Sequence, residues 1–334
     1  MGVFLGKTNG VHSIEFYRNE FIFHLENSIV EKDPRNLYDP IAYILGLGGK
    51  RLRPVLTLLT ADFFGGSYKE AQNAALAIEV FHNFSLIHDD IMDDAPLRRG
   101  MVTVHEKWDV NTGILSGDAM LILAYQLFEG YEPGVFKKLL QLFSKTACEV
   151  CEGQQYDVDF ETRSDVTISE YLKMIEFKTA VLVAAAMKMG AIIANTSVEN
   201  QGLIYEFGRN LGIAFQLQDD YLDAFGDPKT FGKQVGGDII ENKKTYLYLK
   251  SLEKGTTDQQ KQLLDLFSIQ PKDSSSKIEA IKTIFVESGA VEAAKNAIQE
   301  YTEMAFGALD KIPVGDEKKA ILVSFGKDLM GRKV

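Results

Sequence analysis

Cysteine, proline and positive charge are all scarce in this 334-residue chain, and each scarcity excludes something. Two cysteines, Cys148 and Cys151, cannot build a disulfide scaffold and fit a reducing compartment. Their lone Cys-x-x-Cys spacing lacks the second pair of a structural zinc site, so they read as buried or semi-buried free thiols. Lys and Arg number 36 against 47 Asp and Glu, a formal net charge of −11 and the wrong sign for a general nucleic-acid binder. The longest apolar run, Ala180 to Met187, covers eight residues and stops at Lys188. A membrane span needs about 20. The first residues lack the charged-then-apolar layout of a signal peptide, and Gly6 stands where a myristoylation motif wants Ser or Thr. These features predict a cytoplasmic protein with no transmembrane segment and no nucleic-acid partner.

Strict period-two alternation is also almost absent, which argues against strands. Helical periodicity instead runs through Ile14 to Val30, Val55 to Phe64, Ala71 to Asp94, Asn111 to Phe128, Val135 to Glu161, Ser169 to Asn195 and Leu203 to Phe225. Ile278 to Leu309 and Glu317 to Leu329 continue it in a more polar form. The prolines punctuate these stretches. Pro34, Pro40, Pro96, Pro133, Pro228, Pro271 and Pro313 sit where elements should begin or end, and Pro54 suits a first helical turn. Length alone suggests two domains of about 150 residues. The absence of a linker, repeat or low-complexity tract favours one large all-α domain over residues 1–334. Helices that are apolar on several sides should pack at its centre.

Against that apolar background stands Asp89-Asp90-Ile91-Met92-Asp93-Asp94, and 130 residues later Asp219-Asp220-Tyr221-Leu222-Asp223. On a helix, carboxylates three and four apart share a face and repel unless something offsets them. One such cluster could be a solvated acidic face. Two with the same spacing, each inside an otherwise apolar helix, point to hard divalent cations. No Cys or His ligand set accompanies them, which suits Mg2+ bridging to substrate phosphate.

Basic residues lie close in sequence to both clusters: Lys50, Arg51 and Arg53 after Gly48-Gly49, Arg98-Arg99-Gly100 after the first cluster, Lys178-Thr179, Lys233, and Lys243-Lys244. Singly each reads as a surface charge. Together with two metal-type clusters they suggest a pocket for two polyphosphates, one bridged by metal and one held by Lys and Arg. His82 lies seven residues before Asp89, two helical turns, and so shares the aspartate stripe.

The ordered set Gly48-Gly49-Lys50-Arg51-Leu52-Arg53-Pro54, the first cluster with Arg98-Arg99-Gly100, Gly153-Gln154, Lys178-Thr179, Phe215-Gln216-Leu217-Gln218 with the second cluster, and Gly232-Lys233 resembles the trans-isoprenyl diphosphate synthases, or polyprenyl synthetases. The resemblance runs through Asn242-Lys243 and covers nearly the whole chain. It implies a helical bundle around a deep central cavity (the isoprenoid synthase fold) and a homodimer. It implies further that an allylic diphosphate (dimethylallyl, geranyl or farnesyl) binds through about three Mg2+ ions, with Mn2+ a possible substitute. Asp89, Asp93 and Asp219 would hold these ions, with Asp90, Asp220 and Asp223 completing or supporting the cluster. Arg98, Lys178 and Lys233 would stabilise the leaving diphosphate. Isopentenyl diphosphate would sit on Lys50, Arg53, His82 and Arg99 and attack the allylic cation, and the released diphosphate would take the proton. Thr179 and Gln216 would stabilise the cation or position the diphosphate, and Lys243 would be a further diphosphate candidate.

The resemblance also bears on product length. Phe81, Phe84 and Ser85 precede Asp89 by eight, five and four residues. A Phe five before the motif, a small residue four before it and no insertion in the motif imply a geranylgeranyl product, with farnesyl the alternative. Ordinary core packing is the plainer role for both phenylalanines. A longer-chain synthase, a non-catalytic synthase subunit and a metal phosphohydrolase are the other readings. A terpene cyclase is disfavoured by the second aspartate cluster. The basic end Arg332-Lys333 reads as a solvated tail, and Trp108 and Tyr131 have no assigned role.

Overall fold

A computed structural model describes residues 11–29, 31–227 and 236–331. Apart from one two-residue hairpin, the described regular structure is helical. The chain divides into two compact units, residues 1–144 with 185–202, and residues 145–184 with 203–334.

The first unit contains α1 (Ile14–Ser28), α2 (Arg35–Gly46), α3 (Leu52–Phe63), α4 (Gln72–Met92), the strands β1 (Leu97–Arg98) and β2 (Met101–Val102), α5 (Val104–Lys107) and α6 (Val110–Gln126). Helix α7 (Pro133–Thr162) and helix α9 (Val181–Ile193) contribute to both units. Ser13 caps α1, its hydroxyl accepting from Phe16 N at 3.2 Å. Proline starts α7. Helix α4 is central to this unit because its Ala, Ile and Phe residues are buried on several sides, among them Ala75, Ala77, Ile78, Phe81 and Ile87. Phe81, Tyr125, Phe128 and Phe143 meet edge to face, Phe143 lying 4.9–5.2 Å from each of the other three rings.

The second unit contains α8 (Ile168–Ile175), a π-helical turn (Glu176–Ala180), most of α10 (Val198–Phe225), and α11 (Gly237–Ile240), α12 (Tyr246–Lys254), α13 (Thr257–Phe267), α14 (Ser275–Glu287), α15 (Ala290–Asp310) and α16 (Asp316–Met330). A reciprocal capping box, Thr167 with Glu170, opens α8. Its core joins Tyr171, Ile175, Ile213, Leu217, Leu247 and Phe285.

Several sequence expectations change here. Pro40 does not break a helix. It lies buried inside α2, where the packing of Ile41, Ile44 and Leu45 offsets the lost backbone bond. The stretch Ser169 to Asn195 is not one α-helix but α8, the π turn and α9. Ile278 to Leu309 is divided at Gly289, whose φ of 79° ends one helix and starts the next. Residues 246–267, outside the periodic stretches named above, form α12 and α13.

Two glycines admit the π turn. A Cβ on Gly153 would lie 2.2 Å from the Lys178 backbone nitrogen, and one on Gly212 would lie 2.8 Å from the Ala180 Cα and Cβ. Backbone therefore packs on backbone at both points, and no flexible side-chain end is there to yield. Gly153→Ala is expected to lower stability by roughly 2–4 kcal/mol through this clash, read as a drop in melting temperature. Gly134→Ala, at an exposed helical position with nothing within 4 Å, is expected to be neutral or slightly stabilising.

Candidate active site

Helix geometry divides the first aspartate motif. Asp89 and Asp93, four apart, share one side, and Asp90 is turned about 100° away. Asp90 is 1% exposed, and Arg98 Nε donates to its Oδ1 at 2.9 Å, with a second bond from Nη2. Burial pushes the Asp90 carboxyl up from its ordinary value, and the Arg98 bonds pull it back. Helix α4 ends at Met92, so Asp93 is its C-cap and Asp94, at φ 48°, lies just outside. Ala95 N bonds Asp90 O at 2.9 Å and Asp94 N bonds Ile91 O at 3.3 Å, a Schellman closure.

The tail of the motif is a hairpin. Leu97 pairs with Val102 and Arg98 with Met101, leaving Arg99-Gly100 as a two-residue turn with φ of 54° and 76°. Positive φ at both positions is the type I′ signature. The turn sends Arg98 to Asp90 and Arg99 to the glycine loop, where Arg99 Nη1 donates to Gly48 O.

That loop is held from beneath. Arg51, at φ 51°, is buried and donates to Glu79 and to Leu45 O, and Asn83 Nδ2 adds a bond to Glu79 at 3.1 Å. With Arg51 committed to Glu79, Lys50 stays exposed and Arg53 is turned to His82, its Nη1 3.1 Å from Nε2. A guanidinium can only donate, so Nε2 carries the lone pair and the ring proton is on Nδ1. Burial first, then Arg53, Arg99, Arg98 and Arg51, hold His82 well below the usual histidine range. Burial also pushes Arg53 and Arg99 down. Cations crowded in this way with few carboxylates among them form an anion site.

The second motif shows the same division. In α10, Asp219 and Asp223 are half-buried, while Asp220 is 8% exposed. The Tyr171 hydroxyl and Gln216 Nε2, the latter at 3.0 Å, both donate to Asp220. The Thr179 hydroxyl donates in turn to Gln216 Oε1 at 3.4 Å. Burial and the Asp238 charge raise the Asp220 carboxyl well above the carboxylate range, and burial raises Tyr171. Asp223 accepts from Asp238 N at 3.0 Å. Lys178, carried on the π turn, donates to Asp157. The structure thus joins Thr179, Gln216 and Asp220 in one network, with Lys178 on the same turn as Thr179.

Burial pushes the Lys243 ammonium down, but Glu241 at 2.9 Å, with Asp238 and Asp157, raises it overall, and Lys244 donates to the carbonyls of Phe160 and Glu161. Lys233, Arg332 and Lys333 lie outside the described residues. Cys148 and Cys151 are exposed, not buried or semi-buried as the sequence suggested, and they form no disulfide. Phe81 is fully buried in the aromatic cluster, and Phe84, 8% exposed, lies between it and His88. The Ser85 hydroxyl turns back to His82 O at 2.9 Å.

Sequence reasoning did not single out Glu79, Asn83, Tyr171 or Asp157. Glu79 and Asn83 leave a readable trace, two polar residues four apart in an apolar helix. Tyr171 and Asp157 leave none, because their partners are distant in the chain.

The polyprenyl synthetase family model matches residues 34–284. A geranylgeranyl diphosphate synthase of Methanosarcina mazei is 40% identical over 291 residues, 86% of this chain and 88% of that protein. A geranylfarnesyl diphosphate synthase of Natronomonas pharaonis is 37% identical over 306 residues, 86% of this chain and 88% of its own length. Among solved structures, a geranylgeranyl pyrophosphate synthase matches with a TM-score of 0.93 at 54% identity, over 97% of this chain and 100% of the other. With this coverage and the helical architecture described above, the chain belongs to the polyprenyl synthetase family and is a prenyltransferase.

Proposed function

We propose that the protein condenses isopentenyl diphosphate with an allylic diphosphate to make a short-chain product, geranylgeranyl diphosphate. The observation that carries the reading is the repeated division of the two aspartate motifs. In each, the middle aspartate is buried on a protein partner while the outer pair stays less buried. Each compact unit holds one motif.

The outer donors are all carboxylates, which fits Mg2+. Asp89 and Asp93 on one motif and Asp219 and Asp223 on the other would hold the ions, which when bound neutralise the diphosphate and assist its departure. In this reading Asp90 and Asp220 are anchors. Asp90 positions Arg98, and Asp220 positions Gln216 and, through it, Thr179. Lys178, Arg98 and Lys233 take up charge on the leaving group, and the allylic carbon–oxygen bond breaks. The isopentenyl diphosphate on Lys50, Arg53, His82 and Arg99 supplies its double bond to the cation. The departing diphosphate accepts the proton, so no side-chain base is required.

Phe84 sits about 7.5 Å along α4 from Asp89 and is the better candidate for the chain-length floor. Phe81 is already enclosed by aromatic rings. Relatives of similar identity carry names for geranylgeranyl and geranylfarnesyl products, so local residues of this kind, more than overall similarity, would set length. Exposed Val110, Ile114, Leu115 and Ile122 on α6 support a homodimer. Among the described residues no helix is long and apolar enough to cross a membrane, and a cytoplasmic location fits that.

The deciding assay incubates the purified protein with Mg2+, isopentenyl diphosphate and primers of five, ten and fifteen carbons, and reads product length. A twenty-carbon product is expected; diphosphate or phosphate release without elongation overturns the reading. Phe84→Ala should lengthen the products by chromatography of labelled lipids. Asp89→Ala should cut turnover at least about 10²-fold at every Mg2+ level, measured by diphosphate release. His82 should stay neutral down through its ordinary value of 6.5, and isopentenyl diphosphate should raise its titration midpoint by NMR. Its depressed folded pKa means a stability contribution that is full above about pH 6.5 and lost as pH falls. His82→Gln should flatten that acid slope.

A further inference from the structure

One cluster of potential ligands has no part in the reaction above. Asp94, His105 and Glu106 each offer a donor atom, and the three atoms lie within 4.8 Å of one another. Asp94 stands just past the helix, at the left-handed residue of the Schellman closure, so its carboxylate leaves α4 where Asp89 and Asp93 do not. His105 and Glu106 are consecutive residues of α5.

The histidine sets this cluster apart from an ordinary acidic patch. Its side chain is 4% exposed, and neither ring nitrogen has a hydrogen-bond partner. A buried imidazole with both nitrogens unsatisfied is uncommon in a folded protein. Its Nε2 points into the cluster, 3.9 Å from Glu106 Oε1, too far for a hydrogen bond. The neighbouring cation does not fill the gap, because Lys107 Nζ lies over the Tyr43 ring at 3.8 Å and the Trp108 ring at 4.9 Å.

We propose that Asp94, His105 Nε2 and Glu106 bind a transition-metal dication of the Mn2+-to-Zn2+ class, at a site that takes Asp94 from the end of the first aspartate cluster but none of the aspartates assigned to Mg2+. Ligands around such an ion stand about 3–3.5 Å apart, so the carboxylates must close in slightly. Both are exposed and free to do so. Imidazole beside two carboxylates favours these metals over Mg2+, which prefers oxygen alone. Binding through Nε2 leaves the ring proton on Nδ1.

Mn2+ is the probe, because it enters oxygen-only and mixed sites alike and pulsed electron paramagnetic resonance separates them. The full chain saturated with Mn2+ should show nitrogen modulation from one imidazole. His105→Gln should abolish it. Asp94→Asn and Glu106→Gln, both at exposed positions that leave folding intact, should each weaken this site about tenfold or more. Absence of nitrogen modulation in the wild type overturns the proposal. So does modulation that survives His105→Gln, or unchanged Mn2+ affinity in both carboxylate variants. None of these readouts involves prenyl transfer, so their failure leaves the proposed activity standing.

Discussion

Carboxylates placed three and four apart on a helix repel one another, and both motifs live under that constraint. Each answers it in the same way. Asp90 and Asp220 are withdrawn from the shared face and given partners: a guanidinium for the first, a phenol and an amide for the second. The outer aspartates stay less buried, roughly 60–100° round the helix from the withdrawn one. Buried carboxylates are costly unless hydrogen-bonded, so these partners are not optional. Removing Arg98 would leave buried Asp90 without its side-chain donor, and removing Tyr171 would leave Asp220 with Gln216 alone. The geometry around them follows: Arg98 dictates the hairpin, and Gln216 carries the constraint on to Thr179.

The same economy governs the backbone. The π turn brings Lys178 and Thr179 close to α7 and α10 only because Gly153 and Gly212 lack side chains at the contact. The glycine loop before α3 is fixed by the buried Arg51–Glu79 pair, which spends Arg51 on structure and leaves Lys50 and Arg53 for ligands. Metal-type carboxylates, cations and close-packed glycines are thus parts of one arrangement within each unit.

Much of this was legible in the chain. The apolar period marked α1, α3, α4, α6, α7 and α10 closely, and the doubled aspartates stood out because charge inside an apolar helix demands a reason. Other parts were hidden for physical reasons. Pro40 looked like a stop because local chemistry disfavours it, whereas tertiary packing keeps α2 intact. The π turn left no trace because one extra residue within the five of Glu176–Ala180 shifts the helical period too little to read from the sequence. Tyr171 is an ordinary aromatic until the fold brings Asp220 to it, 49 residues further along.

Gathering Arg51, Arg53, Arg98 and Arg99 around His82 has a consequence in the language of energy landscapes. The patch is frustrated: folding assembles mutual repulsion that no internal carboxylate fully cancels. A protein selected for stability alone would disperse those guanidiniums. Here folding, and not binding, bears the work of assembling them. An arriving diphosphate relieves a strain already present, and so recovers as affinity part of what the folded state gave up in stability.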